Sequence, residues 1–264
     1  MGVVATAGFR YSPLFRWERP YHKDYPADTI LSYRTQLQDT IKSNDFIVIV
    51  AEDEYQPDEN EKTEATIPSD DAWKAPTAGE KVVVGVASIK LEPGSKRKGE
   101  YKDNQGTFGY PSPWTVPALI HQAGEYPTLP ENEGRDLNCK HYESWGTLVG
   151  KIREERCSGD AIMSMLVVHP AYWRRGYGTK MGQWAVELSK ADDVKQCVSA
   201  AGMGYQIYSK LGYKDVCKIE ASGDEDDPEG IFTNLMEPTE ESKDSVLLCV
   251  IAIFVHGILD YLIP

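Results

Sequence analysis

No two cysteines of this chain stand at C-x-x-C spacing. The five present, at positions 139, 157, 197, 217 and 249, are odd in number and scattered. They form neither a disulfide framework nor a paired-cysteine zinc site, and they fit a reducing, cytoplasmic compartment. Cys139 and His141 make a two-residue cluster with no second pair, so no metal is expected. Positive charge is scarce too: 28 Lys and Arg face 41 Asp and Glu, a formal net charge of -13. That argues against nucleic acid, which needs a basic face, and suits a cationic or neutral partner. The opening MGVVATAGFR lacks the long apolar core of a secretory signal. It does match M-G-x-x-x-T, a myristoylation pattern of low specificity that carries little without a second membrane signal.

What is present is concentrated in residues 161 to 182, AIMSMLVVHPAYWRRGYGTKMG. Ala161 to Val168 reads as a strand buried on both faces, stopped by Pro170. Beyond it, Met181, Trp184, Ala185 and Leu188 recur at helical spacing, so a helix with one apolar face follows. The first N–H groups of a helix lack internal partners and its dipole favours negative charge there, which makes the turn before it a natural phosphate seat. Gly176 and Gly178 permit positive φ and close backbone approach, while Arg174 and Arg175 add charge at the rim. A plain strand-to-helix turn accounts for the glycines equally well. Two other phosphate fingerprints fail on the residues. A dinucleotide turn needs a glycine at Met181 and an acid at Gln196, and a P-loop needs Ser or Thr after its lysine, where Met181 follows Lys180.

Elsewhere, residues 8 to 20 alternate apolar and basic and predict a first strand and turn. Ile30, Tyr33, Leu37 and Ile41, after the capping residues Asp28 and Thr29, predict a helix. Phe46 to Ala51 and Val82 to Leu91 read as strands, with Gly85 marking a bulge. Between them an acidic stretch, about 55–80, reads as a solvated loop. A second insertion, 94–159, begins with the basic run KRKGEYK and holds His121, His141, Glu143 and Trp145. Further strands are expected at Val194 to Ala200, Val216 to Ala221 and Ile231 to Met236, the last two joined through the acidic SGDEDDPEG. Residues 243–264 form an apolar tail, with 14 residues from Val246 to Leu259 free of formal charge when His256 is neutral. A packed helix, a membrane anchor and a gene-model artefact remain open for it, the anchor not favoured because Asp260 interrupts its end.

The central stretch resembles the acetyl-CoA motif of the GNAT superfamily of N-acetyltransferases: a strand ending L-x-V-x-P, then Q/R-x-x-G-x-G/A, then a helix. Leu166, Val168 and Pro170 match, as do Arg175-Gly176-Tyr177-Gly178, while Trp173 takes the place of the leading Gln or Arg. Downstream, Tyr208, Gly212 and Tyr213 keep the spacing of a second family motif, in which a frequent Asn is here Ala201. The Arg- and Trp-rich opening is similar to that of fungal members. The resemblance implies an α/β (α+β) GNAT fold, a mixed, centrally splayed sheet flanked by helices, over one domain, 1–242, carrying the two insertions.

It further implies an enzyme that transfers acetyl from acetyl-CoA, as co-substrate, to an amine of a small molecule by direct attack through a tetrahedral intermediate. Leu166, Val167 and Val168 would pair with the pantetheine arm. The turn Arg174, Arg175, Gly176, Tyr177, Gly178 and Thr179 would hold the pyrophosphate, and Tyr208 would be the general acid. Donation to a thiolate is uphill by about 1.5 units unless the site lowers the phenol's pKa. The helix N-terminus and nearby arginines could supply that shift, and a buried aromatic packed under the cofactor is the alternative reading. The long insertion would wall the acceptor side, and Glu143, His121, His141 or a water would serve as base. A CoA-binding regulatory module without turnover and a protein or peptide N-acetyltransferase are the alternatives. The acceptor and the oligomeric state stay open.

Overall fold

The largest apolar faces of the chain are gathered on one mixed sheet. The computed structural model of the chain describes residues 1–68, 75–100 and 128–239. The strands are β1 (Phe46–Glu54), β2 (Lys81–Lys90), β3 (Ala161–Val168), β4 (Gln196–Ala200), β5 (Tyr213–Ala221) and β6 (Ile231–Pro238). They lie in the order β1-β2-β3-β4-β6-β5. The β3–β4 contact is parallel and the others are antiparallel. The helices are α1 (Gly2–Phe9), α2 (Pro13–Glu18), α3 (Pro26–Lys42), α4 (Cys139–Arg156), α5 (Tyr177–Ala191) and α6 (Met203–Lys210). The basic run KRKGEYK is described only in part, and His121, Cys249 and the 243–264 tail lie outside the described residues. Among the described residues the four cysteines are free and no helix is long and apolar enough to cross a membrane.

No strand forms over residues 8 to 20: Gly8 and Phe9 end α1, and Pro13–Glu18 form α2. Gly2, Ala5, Ala7 and Gly8 give α1 a smooth, buried surface, and a Cβ on Gly8 would stand 2.4 Å from Val167 Cγ2 and 2.7 Å from the Val168 carbonyl oxygen. The bare backbone there lets the helix lie against β3. Of the M-G-x-x-x-T residues, Gly2 and Thr6 are therefore packed in the core while Met1 is exposed. Pro13 opens α2 at a position that has no helical N–H to lose. α3 starts at Pro26, earlier than Asp28, whose carboxylate is instead held by Arg135 through Nε at 2.9 Å and Nη2 at 2.7 Å. The basic run is only partly solvated, since Arg97 binds Asp192 and Lys98 binds Asp45.

Alternation along the strands sorts the core by face. One face buries Ile47, Ile49, Met163 and Val198 under Met181, Trp184, Ala185 and Leu188 of α5 and Tyr208 of α6. On the other, Val50, Val86, Met165 and Val167 pack against α1 and α3. On that same side Cys197, Ile219 and Leu235 pack against Trp17, Trp145 and Val149. Within α2, Phe15 joins the β1–β3 cluster and Trp17 the β4–β6 cluster, so this helix bridges the two halves of the sheet. The helix α4 lies inside the stretch read as an insertion. Asn138 caps it by accepting from the His141 N–H, and Arg153 and Arg156 occupy its last turn.

Candidate active site

β3 and β4 pair only through Ala161, Ile162 and Met163, opposite Gln196, Cys197 and Val198. Both continue, β3 to Val168 and β4 to Ala200, so they part in the centre of the sheet, as the resemblance implies. The cause is visible in the β2–β3 register, which passes from Met163↔Ile89 to Met165↔Ser88. Ser164 is the extra residue of a bulge, and a bulge bends its strand and increases its twist. It is also exposed, while Leu166 and Val168 are half-buried, which corrects the expectation of a strand buried on both faces. The opening lies at the carboxyl ends of two parallel strands, where open α/β sheets take ligands. The His169 N–H donates to Val84 O at 2.8 Å. Alternation along the ladder then aims the peptide groups of Val167 at β2 and those of Leu166 and Val168 at the opening. There Val168 O accepts a 2.7 Å bond from Trp173 Nε1.

After a 3-10 turn at Pro170–Tyr172, Arg174 takes φ 65 and Gly176 φ 87. Left-handed backbone is uncommon outside glycine, so Arg174 marks a constrained turn. Such residues turn successive N–H groups toward one point, an arrangement suited to anions. α5 begins at Tyr177, and its first bond returns from the Lys180 N–H to Gly176 O at 3.0 Å. The N–H groups of Tyr177, Gly178 and Thr179 precede that bond and have no partner within the helix. These are the features a pyrophosphate requires.

Two assignments at this turn change. Gly178 is helical, and a Cβ there would lie 3.2 Å from Ile207 Cδ1, so its smallness serves the contact between α5 and α6. Arg175 is not simply rim charge. Its Nη1 binds Asp53 Oδ2 at 2.5 Å and its guanidinium lies 5.0 Å from the Tyr172 ring centre. Burial raises the Asp53 pKa, but hydrogen bonds from Tyr177, the Glu54 N–H and Arg175 outweigh it and hold the carboxyl below its usual range. The acidic stretch also differs from a free loop. Tyr172 OH donates to Glu59 at 2.7 Å, the Gln56 N–H donates to Tyr172 OH, and the Glu64 N–H donates to Tyr11 OH. This segment braces the turn.

Tyr208 lies in α6 at the edge of the core, buried, its ring centre 5.3 Å from that of Tyr213. Burial first, and the neighbouring Tyr213 second, push its phenol well above the ordinary value. The lowering that the helix N-terminus and arginines could supply is thus reversed.

On the opposite face, Tyr11 stacks edge-on against Trp173 at 4.8 Å, and Pro13 Cδ lies 3.9 Å from where a Gly202 Cβ would be. Residues 11–13 therefore run from the end of β3 to the end of β4, across the open end of the gap. At the far end of α2, half-buried Glu18 has its pKa raised to about 7 by burial, against the opposing charge of Arg19. The sequence reading missed this carboxyl. Its signal was an acid directly after the apolar Phe15 and Trp17.

The other base candidates lie elsewhere. Glu143 is exposed on α4, bordering an open groove with Lys140 and Lys151. His141 joins α4 to the β5–β6 loop. Its ring stacks on Trp17 at 4.0 Å, its Nδ1 meets Trp17 O at 2.9 Å, and its Nε2 lies 3.2 Å from each Asp224 oxygen. Asp226 completes a cluster with ligand-like spacing, but Lys140 Nζ lies 2.7 Å from Asp224 and Asn138 Nδ2 2.9 Å from Asp226, so donors of the chain already engage both carboxylates.

A mixed sheet parted between two parallel strands, with a glycine turn and helix N-terminus at the mouth, defines an open α/β fold with a cleft at its centre. Residues 138–215 match the family model described as "Acetyltransferase (GNAT) domain". A protein named "Acetyltransferase" from Stachybotrys chartarum is 30% identical over 230 residues, covering 87% of this chain and 81% of its own. The chain belongs to the GNAT superfamily and is an acyl-CoA-dependent acetyltransferase. Two solved structures are also similar. One is described as histone acetyltransferase HPA2 and related acetyltransferase from Corynebacterium glutamicum (14% identity, 90% of this chain and 88% of that one, TM-score 0.45). The other is arylalkylamine N-acetyltransferase 2 from Aedes aegypti (15%, 90% and 94%, TM-score 0.43).

Proposed function

We propose that this enzyme acetylates the amine of a small molecule, with acetyl-CoA seated in the gap between β3 and β4. The observation that carries the reading is the parting of those strands beside the Ser164 bulge, with the α5 N-terminus at the mouth. Acetyl-CoA supplies the activated acyl group. The N–H groups of the turn from Arg174 through Arg175, Gly176, Tyr177, Gly178 and Thr179 hold its pyrophosphate. The edge of Leu166, Val167 and Val168 receives the pantetheine arm as an added strand. Residues 11–13 cross the acceptor side between Trp173 and Gly202, a placement that supports a small acceptor over a side chain on a folded protein. Free thiols suit a cytoplasmic setting.

Two residues handle protons. An amine of pKa near 10.4 is only about one part in 2,500 neutral at pH 7. Glu18, with a pKa of about 7, is matched to remove its proton. Tyr208, its pKa raised by burial, stays protonated across the working range and donates to the departing sulfur. A thiol near 8.5 is the stronger acid of the two, so this donation is uphill by more than about 1.5 units. Tyr208 therefore acts by hydrogen bonding as charge develops rather than by complete early transfer. Thioester consumption by the purified full-length chain, measured with and without a panel of small amines, tests the reading. Amine-dependent release of free CoA is expected. Tight acetyl-CoA binding without release for any amine would leave a binding module.

A further inference from the structure

Buried or anchored arginines of this protein generally have an acid: Arg19 has Asp136 and Arg135 has Asp28. Arg153 does not. It projects from the last turn of α4, half-buried, and Nη2 donates to Ser199 Oγ at 3.1 Å. Its Nε is buried without an acceptor, and among the described residues no carboxylate lies within ion-pair distance. The groups that otherwise face it are the thiols of Cys157 and Cys197. A guanidinium stays charged at any working pH, and leaving it buried among neutral partners is costly. Among the described residues, then, Arg153 keeps a cationic edge that no carboxylate of the fold neutralises.

Its position supplies the reason. Ser199 is the first β4 residue beyond Val198, the last one paired with β3. Cys197 packs toward α2 and α4, so Ser199, two residues on, points to that same face. Ser164, the exposed bulge residue, lies on the facing strand. Arg153 and Ser199 thus stand at the root of the gap, on the face opposite α5, where Glu18 and α2 also lie. Ser199 Oγ accepts from Arg153, and among the described residues its own proton has no acceptor. A guanidinium edge beside a hydroxyl donor matches the two oxygens of a carboxylate.

We propose that Arg153 and Ser199 form a carboxylate subsite, and that the acceptor is an amino acid rather than a simple amine. This rests on the acetyl-transfer reading above. The net charge of such a zwitterion is near zero, which also suits an acidic protein.

The test compares acceptors that differ only in the carboxylate, for example tyrosine with tyramine and tryptophan with tryptamine, on the full-length chain. For the preferred side chain, kcat/KM is expected to be on the order of 10- to 100-fold higher for the amino acid, the size of a charge-assisted hydrogen bond. In R153M that ratio falls toward one, and R153K retains part of it. S199A, a milder change, lowers the ratio several-fold and guards against misfolding of the arginine variants. Higher kcat/KM for the decarboxylated member of every pair, or a ratio that R153M leaves intact, overturns the subsite while leaving acetyl transfer standing. Absence of CoA release with every acceptor overturns both.

Discussion

The two faces of the parted sheet are built from different materials. On the α5 side the candidate site is almost all backbone: the edge of β3, the left-handed Arg174 and Gly176, and the first N–H groups of α5. On the α2 and α4 side the groups proposed for it are side chains from distant parts of the chain, Glu18, Arg153 and Ser199. A ligand read by backbone fixes a spacing of glycines and prolines in one contiguous stretch, whereas side chains meeting across a gap leave no such spacing. The first arrangement suits a co-substrate common to a superfamily, and the second suits an acceptor particular to one enzyme.

The sharpest way to separate the faces is to change a proton-handling group on each. Tyr208→Phe keeps the ring in its packing beside Tyr213. Turnover is expected to fall about 10² to 10⁴-fold with acetyl-CoA affinity nearly unchanged, read where chemistry limits the rate. Near-normal turnover would leave Tyr208 as packing alone. Glu18→Gln should produce a loss of similar order together with a changed pH profile. In the native enzyme kcat/KM should rise as pH passes through about 7, where Glu18 loses its proton, and in the variant that limb should vanish.

The same residue gives a stability signature with a definite sign. Its folded pKa lies above the unfolded value, so the folded state holds the proton more tightly. Stability is therefore greatest below about 4.5 as far as Glu18 is concerned, and declines as pH rises toward about 7. Urea titrations across that window should show a shallower decline in Glu18→Gln.

Next in size is the turn. Gly176→Val forces a β-branched residue to φ 87 and should weaken acetyl-CoA binding more than tenfold, about 1.4 kcal/mol or more, by calorimetry. Gly178→Val should instead lower the melting temperature, because the added atoms meet Ile207. If both variants lost only affinity, the distinction between the two glycines would collapse. Smallest is Arg174→Ala, at the exposed rim, expected to cost on the order of 1 kcal/mol at most and to lose its effect at high salt. Arg175→Ala should keep its effect at high salt, since that side chain is tied to Asp53 and Tyr172.

Much of the α5 face was legible beforehand. The strand Ala161–Val168, the stop at Pro170, the turn and the apolar stripe Met181, Trp184, Ala185, Leu188 all stand where local pattern puts them. The C-terminal hairpin and the Tyr208, Gly212, Tyr213 spacing do too. The opposite face was not. Residues 8 to 20, which hold the end of α1 and all of α2, predict a strand and turn because alternation over a few residues resembles a short helix. Only the contact of Gly8 with β3, a tertiary fact, decides between them. α4 went unread although Trp145, Val149 and Ile152 follow helical spacing after the capping Asn138, because its neighbourhood is rich in glycine, proline and aromatics. Arg153 carries no local mark, and Glu18 only its place directly after the apolar Phe15 and Trp17. Their roles rest on burial and on which charges are near, and neither is a property of sequence spacing.

The seat of α1 on β3 also has a consequence for how the chain is made. Gly8 rests against Val167 and Val168, which are synthesised roughly 160 residues later, so the first helix cannot dock until most of the chain has left the ribosome. Contacts of such long range close slowly. Until then α1, an uncharged helix of small apolar residues, waits without its partner.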